Sequence, residues 1–343
     1  MSWISNVWST MNGSPAEDLA FVDNLTIPGE HFNGLPIVGD ECYVELYVES
    51  LRLEKARKFA TTFHGVVYSF QKLARQGTPS ADLAAISKPD KLAKLDSKSL
   101  GNVITVSRQL MGAVPWRGGT MHLELGLFSV KSGNLLSPVL DFVTQVSTTA
   151  GISFIGAVTP FVPLLTKGMD LIAGQVNDVA LEVAFDADLD LNKSGTYAII
   201  SIPKTQIDTT KITVDRSDRK LLLDGFPLEC GYCVFSIRRA LQKADYGEIP
   251  ELKEKFAALV GAIKSNNVQV ATDALTAFRL AVLTSPDLIP ADADLLVAKA
   301  AAQVNKAFPH AAPASGIARA LGSTLSSKAG GEASTLAELK LYD

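Results

Sequence analysis

Two cysteines separated by two residues, Cys230-Gly-Tyr-Cys233, have the types and spacing of a redox dithiol. Such a pair exchanges disulfides when a helix N-terminus lowers the pKa of the first thiol. That mechanism needs a strand, the dithiol and then a helix. Here FPLE precedes the pair and VFSIRR follows, with Cys233, Phe235 and Ile237 alternating. The pattern predicts a strand in which the thiols act as small apolar residues. With no second C-x-x-C and no H-x-x-x-H, zinc has no ligand set.

Asp186, Asp188, Asp190 and Asn192 recur at every second position, as in the first half of an EF-hand calcium loop. The match stops at Leu191, where the sharp turn needs glycine, and at Tyr197, where a bidentate Glu belongs. The same acids alternate with Leu181, Val183, Phe185, Ala187, Leu189 and Leu191, so the pattern predicts a solvated strand face. A loop-end calcium site using Asp186, Asp188 and Asp190 is the alternative. His31, His64, His122 and His310 have no mutual spacing of a metal site or triad. Arg117, in Pro-Trp-Arg-Gly-Gly, could meet an anion, although the segment reads first as a tight turn. No G-x-S-x-G, H-E-x-x-H, G-x-G-x-x-G or Walker loop is present, and no cofactor is expected.

Residues 142–166 contain no charged side chain, a length that could cross about 30 Å of hydrocarbon. Ser137-Pro138 and Thr159-Pro160 are helix-start signals, however, and Gly151 and Gly174 are stops. They predict a helical hairpin over 137–174. Phe154, Ile155, Val158 and Phe161 are the residues that would enter a membrane if the hairpin were released.

The elements that would position these residues follow from periodicity. Segments 41–53, 59–72, 101–111, 119–130, 181–192, 196–203, 211–215, 220–224 and 228–239 read as strands, about eight or nine in all. Residues 74–98 read as a surface loop with at most a short helix. Three amphipathic helices follow from residue 250, with Leu252, Leu275 and Phe278 among their buried stripes. The expected fold is α+β: an antiparallel β-sandwich of C2-like or immunoglobulin-like type over 41–239, with the hairpin inserted, then a three-helix bundle over 248–309. Residues 1–40 are expected to form an arm in which Trp3 and Trp8 pack on the core or a partner. Residues 310–343 are expected to form a flexible tail whose Leu336, Leu339 and Leu341 could dock weakly.

Composition bounds the function. The 343 residues correspond to roughly two domains. They are 47% hydrophobic and 20% charged, below the usual share of about 25%. The net charge of −4 argues against a nucleic-acid partner. Three cysteines and no basic, continuous apolar leader suggest the reducing cytoplasm. The expectation is a non-enzymatic interaction or assembly component whose partner is another protein or a second copy. The alternatives are a membrane-active effector that releases the 138–174 hairpin, and an enzyme with a dispersed carboxylate site.

Overall fold

A computed structural model describes residues 3–12, 19–54, 57–58, 61–75, 78–86, 104–131, 179–244 and 246–309. The predicted hairpin and tail, with Phe154, Ile155, Val158, Phe161, Leu336, Leu339 and Leu341, lie outside these residues. Among the described residues the fold is mixed α+β with antiparallel sheets and four α-helices. It divides into two compact units, Met1–Ala240 and Leu241–Asp343.

The first unit opens with helix α1 (Trp3–Asn12) and strands β1 (Leu19–Leu25), β2 (Tyr43–Arg52), β3 (Arg57–Lys58), β4 (Thr61–Arg75) and β5 (Thr78–Ile86). There follow β6 (Ile104–Pro115), β7 (Thr120–Lys131), β8 (Val179–Asp190), β9 (Gly195–Pro203), β10 (Ile212–Val214), β11 (Leu221–Leu223), β12 (Phe226–Pro227) and β13 (Tyr232–Ala240). One five-stranded sheet has the order β1-β9-β13-β2-β6. A second runs β3-β4-β7-β8, with β5 also paired to β4, and β10-β11-β12 form a small third.

Alternation along the strands explains how the sheets share a core. Val44, Leu46 and Val48 of β2 and Cys233, Phe235 and Ile237 of β13 belong to the same buried cluster as Met121, Leu123, Leu125 and Leu127 of β7. Phe21 of β1 stacks on Phe185 of β8 with centroids 4.8 Å apart. The intervening residues of the first sheet, Ala198, Ile200, Tyr232 and Val234, join a second cluster with Ile212, Val214 and Leu221 of the small sheet.

Three local readings are corrected. Residues 78–86 form a strand, with Phe70 opposite Ala84 and Arg75 opposite Thr78. The segment TPSADLAAI has weak β-propensity and contains Pro79, which an edge position tolerates. The N-terminal arm packs Trp8 on the core cluster as expected, but it is built of two regular elements. β1 is an edge strand on β9, and α1 rests on the second sheet, with Ile4 and Val7 buried and Trp8 packed on the core cluster. The third correction concerns β8. Leu127 pairs with Val183 and Phe128 with Leu181, so Glu182 is left over as a bulge. A bulge re-aims its extra residue, and Glu182 Oε2 accepts the Glu54 N–H at 2.6 Å.

The second unit holds α2 (Pro250–Lys264), α3 (Val268–Thr284) and α4 (Pro290–Ala307). Pro250 and Pro290 occupy first-turn positions where a missing N–H costs nothing. The Asn267 side chain caps α3 by accepting from Gln269 and Val270. Leu252 and Leu259 of α2, Leu275 and Phe278 of α3, and Leu296 and Val304 of α4 are buried. The Phe256 and Phe278 rings meet edge to face at 5.7 Å.

Candidate functional site

Among the described residues of the first unit, two groups of titratable side chains each join three or more charged partners, and cross-strand register creates the first. On β7, odd positions 121–127 enter the core, so His122 and Glu124 face the other way. Residues directly opposite on an antiparallel pair share a face. Register sets His122 against Asp188 and Glu124 against Asp186 of β8. His122 Nδ1 lies 3.0 Å from Asp188 Oδ1, and Nε2 lies 3.7 Å from Glu124 Oε1 and 3.6 Å from Asp186 Oδ1. One imidazole thus serves three carboxylates.

Helix α1 closes over this cluster. The Ile4 N–H donates to Glu124 Oε2 at 3.2 Å, and the Ser5 hydroxyl donates to Asp186 Oδ2 at 3.5 Å. The first N–H groups of a helix lack intrahelical partners and favour negative charge. α1 has no acidic residue in its first turn, so these carboxylates supply that charge from another element. Gly126 makes the approach possible. A Cβ there would lie 2.6 Å from Ile4 Cδ1 and 3.1 Å from the Phe128 ring. Glu124 is 5% exposed, and burial raises its carboxyl pKa above the ordinary value. The Ile4 N–H and His122 oppose that rise, while the Asp186 charge adds to it.

The second gathering centres on Glu49. Val234 pairs with Ser50 and Phe235 with Val48, so Glu49 is the extra residue of a bulge. It is fully buried. One oxygen accepts from the Ser236 hydroxyl and from Arg238 Nη2, and the other accepts from Arg219 Nη1. Arg219 Nη2 continues to Glu30 Oε1 at 2.7 Å. The Arg238 guanidinium lies between the Phe32 and Tyr47 rings, 4.3 and 4.2 Å from their centroids.

The residues singled out by type fall elsewhere. Cys233 points into the core from β13, and burial pushes its thiol up to about 12. Cys230 precedes the strand and is also raised, chiefly by burial. A strand follows the pair where a redox dithiol needs a helix, and both thiols shift away from reactivity. Arg117 Nη1 donates to Asp40 Oδ1 at 2.6 Å, beside a turn in which Gly118 and Gly119 take positive φ. Asp186, Asp188 and Asp190 lie along one face of β8. Among the described residues, no group of three or more His, Cys, Asp or Glu side chains could hold a metal ion. His31 is exposed. The sequence reading missed the partnership of His122 with Glu124 and of Glu49 with two arginines. The available signal was the same alternation that identified the strands, since His122 and Glu124 occupy the polar positions of β7. No family model matches the chain, and no curated protein or solved structure is detectably similar to it.

Proposed function

We propose that the chain is a non-enzymatic, cytoplasmic assembly component that associates with copies of itself through the outer face of α3. In this reading the first unit is a sandwich of C2-like or immunoglobulin-like type, and the three C-terminal helices form a bundle.

The supporting observation is an apolar stretch of α3 that faces solvent. Leu280 is 64% exposed and Leu283 45%, one helical turn apart, while Phe278, Ala281 and Val282 fill the opposite side. Large exposed apolar side chains grouped on one face mark interaction surfaces. Asp273 and Arg279 are the only charged residues of α3, one of each sign. The α3 faces of two copies therefore meet without local like-charge repulsion. Three free thiols agree with a reducing compartment. No described helix is long and apolar enough to cross a membrane, and the effector alternative rests on 138–174, outside the described residues. The enzyme alternative draws on the His122 cluster, but α1 covers Glu124 there.

Sedimentation velocity of the full chain tests the reading. The wild type should self-associate. The double substitution Leu280→Lys, Leu283→Lys should weaken association by at least about tenfold, or 1.4 kcal/mol, with an unchanged melting curve. A wild type that stays monomeric at every concentration overturns it.

A further inference from the structure

We propose that Glu124, with His122, Asp186 and Asp188, forms a proton-coupled latch that holds α1 on the second sheet in mild acid and loosens it as pH rises. The inference does not depend on the self-association reading.

Helix α1 is short and uncharged. It has ten residues, WISNVWSTMN, and not one is charged. An isolated helix that short is marginal in water. Its folding therefore depends on docking, by Ile4 and Val7 against the outer face of β7 and β8 and by its first turn against the cluster. The polar part of that docking falls on two carboxylates, Glu124 and Asp186.

The surroundings of Glu124 set the direction of the response. On β7 it has His122, and on β8 Asp186, with Asp188 beyond on the far ring nitrogen of His122. On β4, Phe70 is its register partner and Lys72 is opposite His122, with its side chain exposed. Tyr68, also on β4, is fully buried and feels the Glu124 charge. α1 contributes the Ile4 N–H, the Ser5 hydroxyl and no ion. With every carboxyl ionised, three negative charges face one imidazole, and of the three carboxylates Glu124 is the buried one, Asp186 and Asp188 being 33% and 69% exposed. A proton on Glu124 removes one charge without removing the latch. The carbonyl oxygen still accepts the Ile4 N–H, and the new O–H can donate to the neighbouring Asp186 carboxylate. The upward shift of the Glu124 carboxyl in the docked state runs in the same direction. Raising the pH restores the buried charge, whose burial and repulsion from Asp186 outweigh the attraction of the Ile4 N–H at the helix start, and so opposes docking. Release would melt α1 and expose Ile4, Val7 and Trp8 together.

Glu124→Gln imitates the protonated carboxyl, keeping an acceptor for Ile4 and offering N–H groups to Asp186. Amide hydrogen exchange of residues 3–12 reads the latch directly, after correction for the intrinsic pH dependence of exchange. The reference for the released state is Gly126→Val, whose side chain occupies the space of Ile4 Cδ1. In the wild type, protection of 3–12 should fall as pH rises from mildly acidic to mildly alkaline, because the carboxyl binds its proton more tightly docked than released. In Glu124→Gln it should stay high throughout, and in Gly126→Val low throughout. Wild-type protection that is flat with pH, that falls on acidification, or that keeps its pH dependence in Glu124→Gln would falsify the latch.

Discussion

Glu49 and Glu124 are both buried carboxylates in the first unit, and their neighbours treat them in opposite ways. Around Glu49 the charges balance: two guanidiniums face Glu49 and Glu30, and both Glu49 oxygens accept from charged donors. Around Glu124 they do not, because Asp186 and Asp188 share the single imidazole with it. A buried charge is costly unless it is paired and hydrogen-bonded. The first network meets that condition and is structural, tying the loop bearing Glu30 and Phe32 to β2 and β13. The second meets it in part and leaves a charge whose cost varies with pH. Burial alone therefore does not separate a structural carboxylate from a responsive one; the count of counter-charges does.

The comparison breaks most visibly at Glu49. Glu49→Ala leaves Arg219 and Arg238 facing each other without their shared anion. Chemical denaturation should show a loss of about 3 kcal/mol, as when one partner of a buried pair is removed. A loss no larger than that of a surface substitution would place the two carboxylates in one class.

Glu124→Gln should act in the opposite sense, raising stability at neutral pH by a small amount. A carboxyl raised in the folded state binds its proton more tightly folded than unfolded. Its favourable contribution is full below the unfolded pKa and is lost as pH rises through the folded value. The advantage of the glutamine should therefore be largest at neutral pH and shrink on acidification. Melting curves of both proteins across that range check the sign, and an advantage that grows in acid would contradict it.

The smallest effect is expected at Glu229, which receives Arg52 Nη2 at 2.6 Å but is 82% exposed. Solvent-exposed pairs contribute about 0–1 kcal/mol. Glu229→Gln should shift the denaturation midpoint by less than about 0.5 kcal/mol. That result sets the scale against which the two buried carboxylates are read.

Periodicity alone identified β2, β4, β7, β8, β9 and β13 and the three C-terminal helices, because strand and helix periods are local properties of side-chain order. It placed Met121, Leu123, Leu125 and Leu127 on one face of β7, and all four are buried together. Cys233 was legible as a core residue for the same reason. Other features belong to pairing between distant segments. β5 is a strand only because β4 offers a ladder, and β1 only because β9 does. Glu49 and Glu182 became bulges because their partner strands skipped one residue, which no alternation within β2 or β8 announces. The carboxylate cluster needed three decisions that only tertiary structure makes. The register set Asp186 against Glu124, the pairing of β7 with β8 set Val130 opposite Val179 across the intervening chain, and a glycine at 126 let α1 descend onto both. Each depends on energy gained between segments remote in sequence, whereas the strand and helix patterns are written within a single turn or pleat.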